Sequence, residues 1–177
     1  MQRGPGSDSL VPLDRMTFLV EGVFAITLTL LVLDLRVPDA GRRALADSLT
    51  AMLPRLAIYL FAFASIGNQW VIHQRTFKLV KHGDSSLVML SMLNLLVITL
   101  ILASAAIVGA YPTQKLVAAC SAINNLLLCL SAAALWAHVA RRRDLLAEDA
   151  NPRVLEGIAL VWILVAGGFV VGLMVGH

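Results

Sequence analysis

The stretch that decides the fold is RMTFLVEGVFAITLTLLVLDLRVP, which runs from Arg15 to Pro38. A helix over residues 15–36 would be roughly 30 Å long, enough to cross a bilayer. Four of its residues fall at i, i+3, i+4 and i+7 and form one stripe. They are Ile26, Thr29, Leu30 and Leu33. Two interpretations stay open: the stripe packs against other helices, or copies of it from several subunits surround a water path.

The overall composition indicates a polytopic membrane protein. Of 177 residues, 59% are hydrophobic and 14% are charged, and the mean hydropathy is +0.82. A soluble domain is usually about half apolar and about a quarter charged. The net charge of +3 is small and dispersed over the loops, which argues against a nucleic-acid partner. A signal peptide is also weighed for residues 1–40, but a secreted remainder would not be this apolar.

We predict an all-α membrane helix bundle with one domain, residues 15–177, after a flexible N-terminal segment, residues 1–14. Five apolar segments are long enough to span a bilayer, and we find no sixth. The predicted transmembrane helices cover residues 15–36, 54–78, 85–108, 114–140 and 154–176. The two cysteines, Cys120 and Cys129, are nine positions apart on one of these helices and are too far apart to pair.

Polar residues inside the predicted spans need partners. Glu21 lies about 140° round helix 1 from Ile26, so it should face neighbouring helices. Asn94 should bond across to another helix. His73 belongs to an aromatic face of helix 2, and it is either a hydrogen-bonded structural histidine or a gating histidine that titrates with pH. That face comprises Tyr59, Phe63, Ile66, Trp70, His73 and Phe77.

Loop charge predicts the orientation. Of the 14 Lys and Arg residues, nine lie on the side of the N-terminus and five on the other. The positive-inside rule therefore places the N-terminus in the cytoplasm of a cell-membrane protein.

Signatures of enzymes are missing from the sequence. There is no GxGxxG, GxxxxGK[ST], HExxH, CxxC or GxSxG motif. The four histidines do not fall at metal-ligand spacing, so we expect neither a metal site nor a cofactor. A membrane enzyme that uses His73 and Glu21 is therefore the weakest of three functional hypotheses.

Three segments resemble a known family. In helix 1, Arg15 is followed after three residues by Leu19, Val20 and Glu21, and then by the run GVFAI-x-LTLLVLDL. Helix 2 carries aromatic residues ending in Trp-x-x-His at Trp70 and His73. Helix 3 carries Asn94 within LNLL. Over about residues 15–140 the chain resembles the transmembrane protein 175 potassium channels, meaning the lysosomal channel and its bacterial and archaeal relatives.

The resemblance implies a potassium-permeable homotetramer in the lipid bilayer, with a six-helix repeat per subunit and helix 1 lining the pore. Ile26 would be the hydrophobic constriction, Thr29 a hydroxyl ring, and Leu30 and Leu33 a continuing apolar wall. Asp34 would concentrate cations at the outer mouth, or else be an interfacial charge paired with Arg36 or a loop residue.

The resemblance also assigns five residues to polar contacts that tie helices 1, 2 and 3 together. They are Arg15, Glu21, Trp70, His73 and Asn94. Three departures from the family pattern stand out: Leu19 and Val20 replace Phe-Ser, Glu21 replaces Asp, and Gln74 replaces a second His. The alternative function is a small transporter or membrane scaffold without a conducting pore.

Overall fold

The computed structural model describes residues 13–35, 45–111, 113–148 and 150–175. In these ranges the chain forms five α-helices and two short 3-10 turns, which confirms the all-α prediction. The predicted flexible segment lies almost wholly outside the described residues, and so does the loop that carries Arg36. The helices are α1 Leu13–Leu30, α2 Leu45–Phe77, α3 Ser85–Ala110, α4 Lys115–Arg141 and α5 Pro152–Val175.

Within the described part of the chain, four helical segments are long and apolar enough to cross a membrane. They are Leu13–Leu33, Leu49–Phe77, Ser85–Ala110 and Lys115–Arg141. The chain is therefore a multi-pass membrane protein. The assignment of α5 as a further span stays a prediction.

Helix α1 changes its winding at its end. After Leu30 the backbone tightens into a 3-10 turn over Leu31–Asp34, and the N–H of Leu35 donates to the carbonyl of Val32 at 3.0 Å. A 3-10 turn has three residues per circuit and rises about 2.0 Å per residue. The predicted single helix over residues 15–36 is thus an α-helix with a tighter terminal turn.

Helix α2 begins nine residues earlier than the predicted residue 54. Pro54 lies inside the helix instead of opening it. Proline favours the first turn because it has no N–H to donate, which made residue 54 a natural start. Membrane helices tolerate an interior proline when nearby groups compensate for the missing N–H.

The core has two layers of buried apolar side chains. One layer joins α1, α2, α3, α4 and α5 around Trp136, which is 1% exposed, with Phe77, Leu87 and Leu155 against it. The other layer joins helices α1, α2, α3 and α4. It includes Val20, Phe24, Leu31, Ile66, Ile98 and Leu128. Because α3 contacts α1, α2 and α4, it is the central helix of the bundle.

Two loops meet at the end of the bundle where α2 ends and α5 begins. Val80 and Leu146 form an antiparallel bridge: the N–H of Lys81 donates to the carbonyl of Leu145 at 2.7 Å, and that of Ala147 donates to Leu79 at 2.9 Å. These bonds fix the α2–α3 connection to the α4–α5 connection.

A charged cluster adjoins the same loops. The carboxylate of Asp84 caps α3 by accepting from the N–H of Leu87 at 2.8 Å, and it also lies 3.1 Å from Nε2 of His138 and 3.5 Å from Arg142. Arg142 donates to the carboxylate of Asp144 at 3.0 and 2.9 Å. These hydrogen bonds hold the pKa of Asp144 below its ordinary value. The start of α3 and the end of α4 are therefore joined by polar contacts.

Candidate pore-lining face

The predicted stripe on α1 is exposed at the surface of the subunit. Ile26 is 59% exposed, Leu30 is 45% exposed and Leu33 is 62% exposed, and Thr29 is exposed between them. The stripe is therefore not buried packing inside one subunit. Its apolar side chains are available to lipid or to other copies of the chain.

The opposite face of α1 holds the helix in the bundle. Val20 and Phe24 are 1% exposed, Thr27 is 2% exposed, and Leu31 is 1% exposed. These residues recur every three or four positions, which places them on one face. Packing of this face fixes the rotation of α1 and turns the stripe outward.

Thr27 and Thr29 illustrate the contrast between the two faces of α1. The hydroxyl of the buried Thr27 donates to the carbonyl of Val23 at 2.7 Å. The hydroxyl of the exposed Thr29 lies 2.9 Å from the carbonyl of Ile26 and 3.1 Å from that of Ala25. Because the hydroxyl hydrogen of Thr29 is used within its own helix, its oxygen lone pairs remain free to accept from water or to face a cation.

Glu21 forms a contact between α1 and α2. Its Oε1 accepts from Nε2 of Gln74 at 2.5 Å. Both residues line a cleft of about 380 Å³ that also includes Phe24, Leu28 and Trp70. Gln74, which the sequence comparison marked only as a departure from the family pattern, thus supplies the donor for the carboxylate.

His73 lies in a cage of three aromatic rings. Its imidazole stacks on Phe77 at 4.1 Å between centroids, and it meets Phe24 at 5.9 Å and Trp136 at 5.6 Å in edge arrangements. The residue is 4% exposed. This environment favours a structural role, because the ring joins α1, α2 and α4 through packing and is shielded from water. Trp136 belongs to this cage, and nothing in the sequence pattern marked it as a partner of His73.

Asn94 bonds across helices as predicted, but to an unexpected partner. Its Nδ2 donates to Oγ of Ser131 at 2.9 Å, so the bond joins α3 to α4. Asn94 is 1% exposed and Ser131 is 6% exposed. A buried bond of this kind secures the central helix against its main neighbour.

The five residues of the predicted polar network do not form one network. All five lie in the described ranges, and no hydrogen bond joins any two of them there. Arg15 is exposed near the start of α1, and Trp70 is 39% exposed on α2. Glu21, His73 and Asn94 instead make three separate contacts: with an amide, with aromatic rings and with a hydroxyl.

The described residues hold no group of three or more acidic, histidine or cysteine side chains that could bind a metal ion. The side chain of Asp34, the predicted mouth residue, lies outside the described part. Cys120 and Cys129 are both free thiols, in line with their predicted separation.

Comparison with known proteins identifies the family. A sequence model described as "endosomal/lysosomal potassium channel TMEM175" matches residues 15–101. A potassium channel of Streptomyces collinus is 34% identical over 145 residues, covering 79% of this chain and 68% of that protein. A potassium channel of Chamaesiphon minutus is 32% identical over 150 residues, covering 81% and 74%. This chain belongs to the TMEM175 family.

The fold of this chain agrees with the family assignment. It superposes on the crystal structure of a lysosomal potassium-selective channel TMEM175 homolog from Chamaesiphon minutus with a TM-score of 0.80. The two share 27% identity, and the match covers 92% of this chain and 85% of the other. The matched family segment contains nearly all of α1, all of α2 and most of α3, including the exposed stripe. Membership in a channel family rules against the enzyme hypothesis.

Proposed function

We propose that this chain is the subunit of a homotetrameric, potassium-permeable channel whose pore is lined by α1. The observation that carries the proposal is the outward-facing stripe of α1 in a helix whose other face is fully packed. Potassium is the proposed permeant ion because the family and its matched relatives are described as potassium channels.

The proposed conduction path is a narrow apolar neck. Rings of Ile26, Leu30 and Leu33 around the symmetry axis would dewet easily, so cations would cross only when the neck hydrates or widens. The Thr29 ring would offer four oxygen atoms between apolar rings. Their hydrogens are engaged by backbone carbonyls, so the oxygens would present lone pairs to a partly dehydrated cation. Without a filter of backbone carbonyls, we expect only moderate preference for potassium over sodium.

The proposed orientation places the N-terminus in the cytoplasm of the cell membrane. The loops on that side carry most of the basic residues, including Lys81 and Arg142. Asp34 would then lie at the outer mouth, where a carboxylate raises the local cation concentration.

Cysteine labelling during ion flux tests the proposal. In a background with both native thiols replaced, liposomes containing Thr29→Cys should lose potassium flux after a charged aqueous thiol reagent. The matched variant Thr27→Cys should keep its flux, because that position is 2% exposed on the packed face of α1. Absence of potassium flux from the wild type, together with an unreactive Thr29→Cys, would reject the channel.

A second variant separates the channel from a transporter or scaffold. Ile26→Asn adds an amide to the proposed constriction, so it should favour water in the neck and raise the potassium leak. If α1 only packs against lipid or protein, the same change should lower stability and leave flux at background.

A further inference from the structure

A lateral groove lies between α2 and α5, away from the proposed pore. Its volume is about 690 Å³, and its apolar wall includes Ile72, Ile158, Val161 and Val165. Val161 is 58% exposed and Val165 is 42% exposed. Such an apolar wall suits a hydrocarbon chain, and its α2 side belongs to the membrane-spanning segment Leu49–Phe77.

One end of the groove is basic. Arg75 and Val154 both line it, and each lies about 3 Å along the axis from its helix end. The Val80–Leu146 bridge shows that these two helix ends are at the same end of the bundle. This is the end with the larger share of basic residues, among them Lys78 and Arg153.

Arg75 has no acidic partner among the described residues. The ion pairs found there involve Lys81, His138 and Arg142, and none includes Arg75. The nearest acidic residue along α5, Glu156, lies about 170° round the helix from the centre of the groove-lining residues. An exposed guanidinium at a membrane interface, with no carboxylate within ion-pairing distance in the described ranges, favours an anionic group as its partner.

We propose that this groove binds one anionic phospholipid from the leaflet on the basic side. The phosphate pairs with Arg75, and an acyl chain lies along Ile72, Ile158 and Val161. Asn68, which lines the groove roughly 10 Å deeper than Arg75, offers its amide to the glycerol ester carbonyls. A zwitterionic lipid also carries a phosphate, but the basic residues at this end would repel its headgroup cation, so the site favours lipids with a net negative headgroup.

Native mass spectrometry of the purified full-length protein tests the headgroup contact. With phosphatidylglycerol added in detergent, we expect retained lipid, and with phosphatidylcholine we expect much less. Arg75→Gln should reduce phosphatidylglycerol retention about fivefold, the effect of one basic residue near a membrane surface. Arg141→Gln is the matched control, because it removes an exposed charge at the same end but outside the groove. Equal retention of both lipids, unchanged by Arg75→Gln, would overturn the proposal.

A second pair of variants tests the acyl-chain path. A Cβ atom added at Gly157 meets nothing within 4 Å, and Gly157 lines the groove, so Gly157→Phe should fill the groove. It should abolish lipid retention while the oligomer stays intact. Gly167 is equally open but lies outside the groove, about 80° further round the helix, so Gly167→Phe should retain the lipid. Dissociation of the oligomer by Gly157→Phe, with lipid retention unchanged, would show that a neighbouring subunit covers the groove and would refute the proposal. Potassium flux, measured separately, reports on the pore alone.

Discussion

Truncation to alanine should lower the stability of the subunit strongly at Phe24 and only slightly at Ile26, two positions further along α1. Phe24 is 1% exposed and its ring lies 5.9 Å from that of His73, whereas Ile26 is 59% exposed. Phe24→Ala empties a packed site. In soluble cores this change costs about 3–5 kcal/mol. In a bilayer the side chain is not transferred to water, so only the lost van der Waals packing contributes to this cost. We therefore expect the free energy of unfolding to fall by about 2 kcal/mol.

Ile26→Ala removes a side chain that contacts little within the subunit. Its cost to subunit stability should stay within about 0.5 kcal/mol, as for other surface positions. For a chain of this length, about 2–4 °C of melting temperature corresponds to each kcal/mol. Phe24→Ala should therefore melt about 4–8 °C below the wild type, and Ile26→Ala should melt close to it.

The assay is thermal unfolding of the detergent-solubilised protein by intrinsic fluorescence, with potassium flux from liposomes measured on the same preparations. Ile26→Ala should raise flux because it widens the proposed constriction, and Phe24→Ala should reduce the yield of folded channel. An equal loss of melting temperature in both variants would refute the reasoning, since it would mean that Ile26 is packed as tightly as Phe24.

Three further predictions concern the supporting contacts. Asp84→Ala removes the cap of α3 and the buried carboxylate that contacts the imidazole of His138, so the free energy of unfolding should fall by about 2 kcal/mol. Asp84→Asn should lower that free energy by less, and the melting temperatures of the two variants test the difference. Asn94→Leu should destabilise more in the wild type than in a Ser131→Ala background, which a double-mutant cycle would detect as coupling of about 1 kcal/mol. Because Arg142 lowers the pKa of Asp144, the stability from this pair is present above the ordinary aspartate pKa and lost as pH falls through the lowered pKa. Carboxyl titration by NMR should show a lowered pKa of Asp144 in the wild type and a higher pKa in Arg142→Gln.

The helices were largely predictable because membrane burial imposes a minimum apolar length on each span. The predicted limits of α3, residues 85–108, and of α4, residues 114–140, differ from the observed helices by two residues or fewer. Asp84 marks the start of α3 chemically, since a carboxylate before the first turn can accept from its free N–H groups. The predicted start of α2 was wrong by nine residues, since a proline can open a helix or be tolerated inside one and local sequence does not distinguish the two.

The orientation of α1 was only partly predictable. The helical spacing of the residues distinguishes the stripe from the rest of α1, but it does not indicate which face of α1 is turned toward the subunit interior. The structure supplies that through the burial of Val20, Phe24 and Leu31. The partners of the polar residues were not predictable, because Asn94 and Ser131 are 37 positions apart and Glu21 and Gln74 are 53 apart. Such pairings depend on how the helices pack, which periodicity does not encode.

The tighter turn at the end of α1 changes how the two leucines of the stripe, Leu30 and Leu33, are aligned. In a continued α-helix Leu33 would sit about 60° round from Leu30, but one 3-10 circuit brings it back to the same azimuth, about 6 Å further along the axis. In a fourfold assembly the two leucines of each subunit would then point along parallel radii. The Leu30 ring and the Leu33 ring would then be aligned along the axis and not staggered. An ion that had passed Thr29 would cross these two apolar rings one after the other.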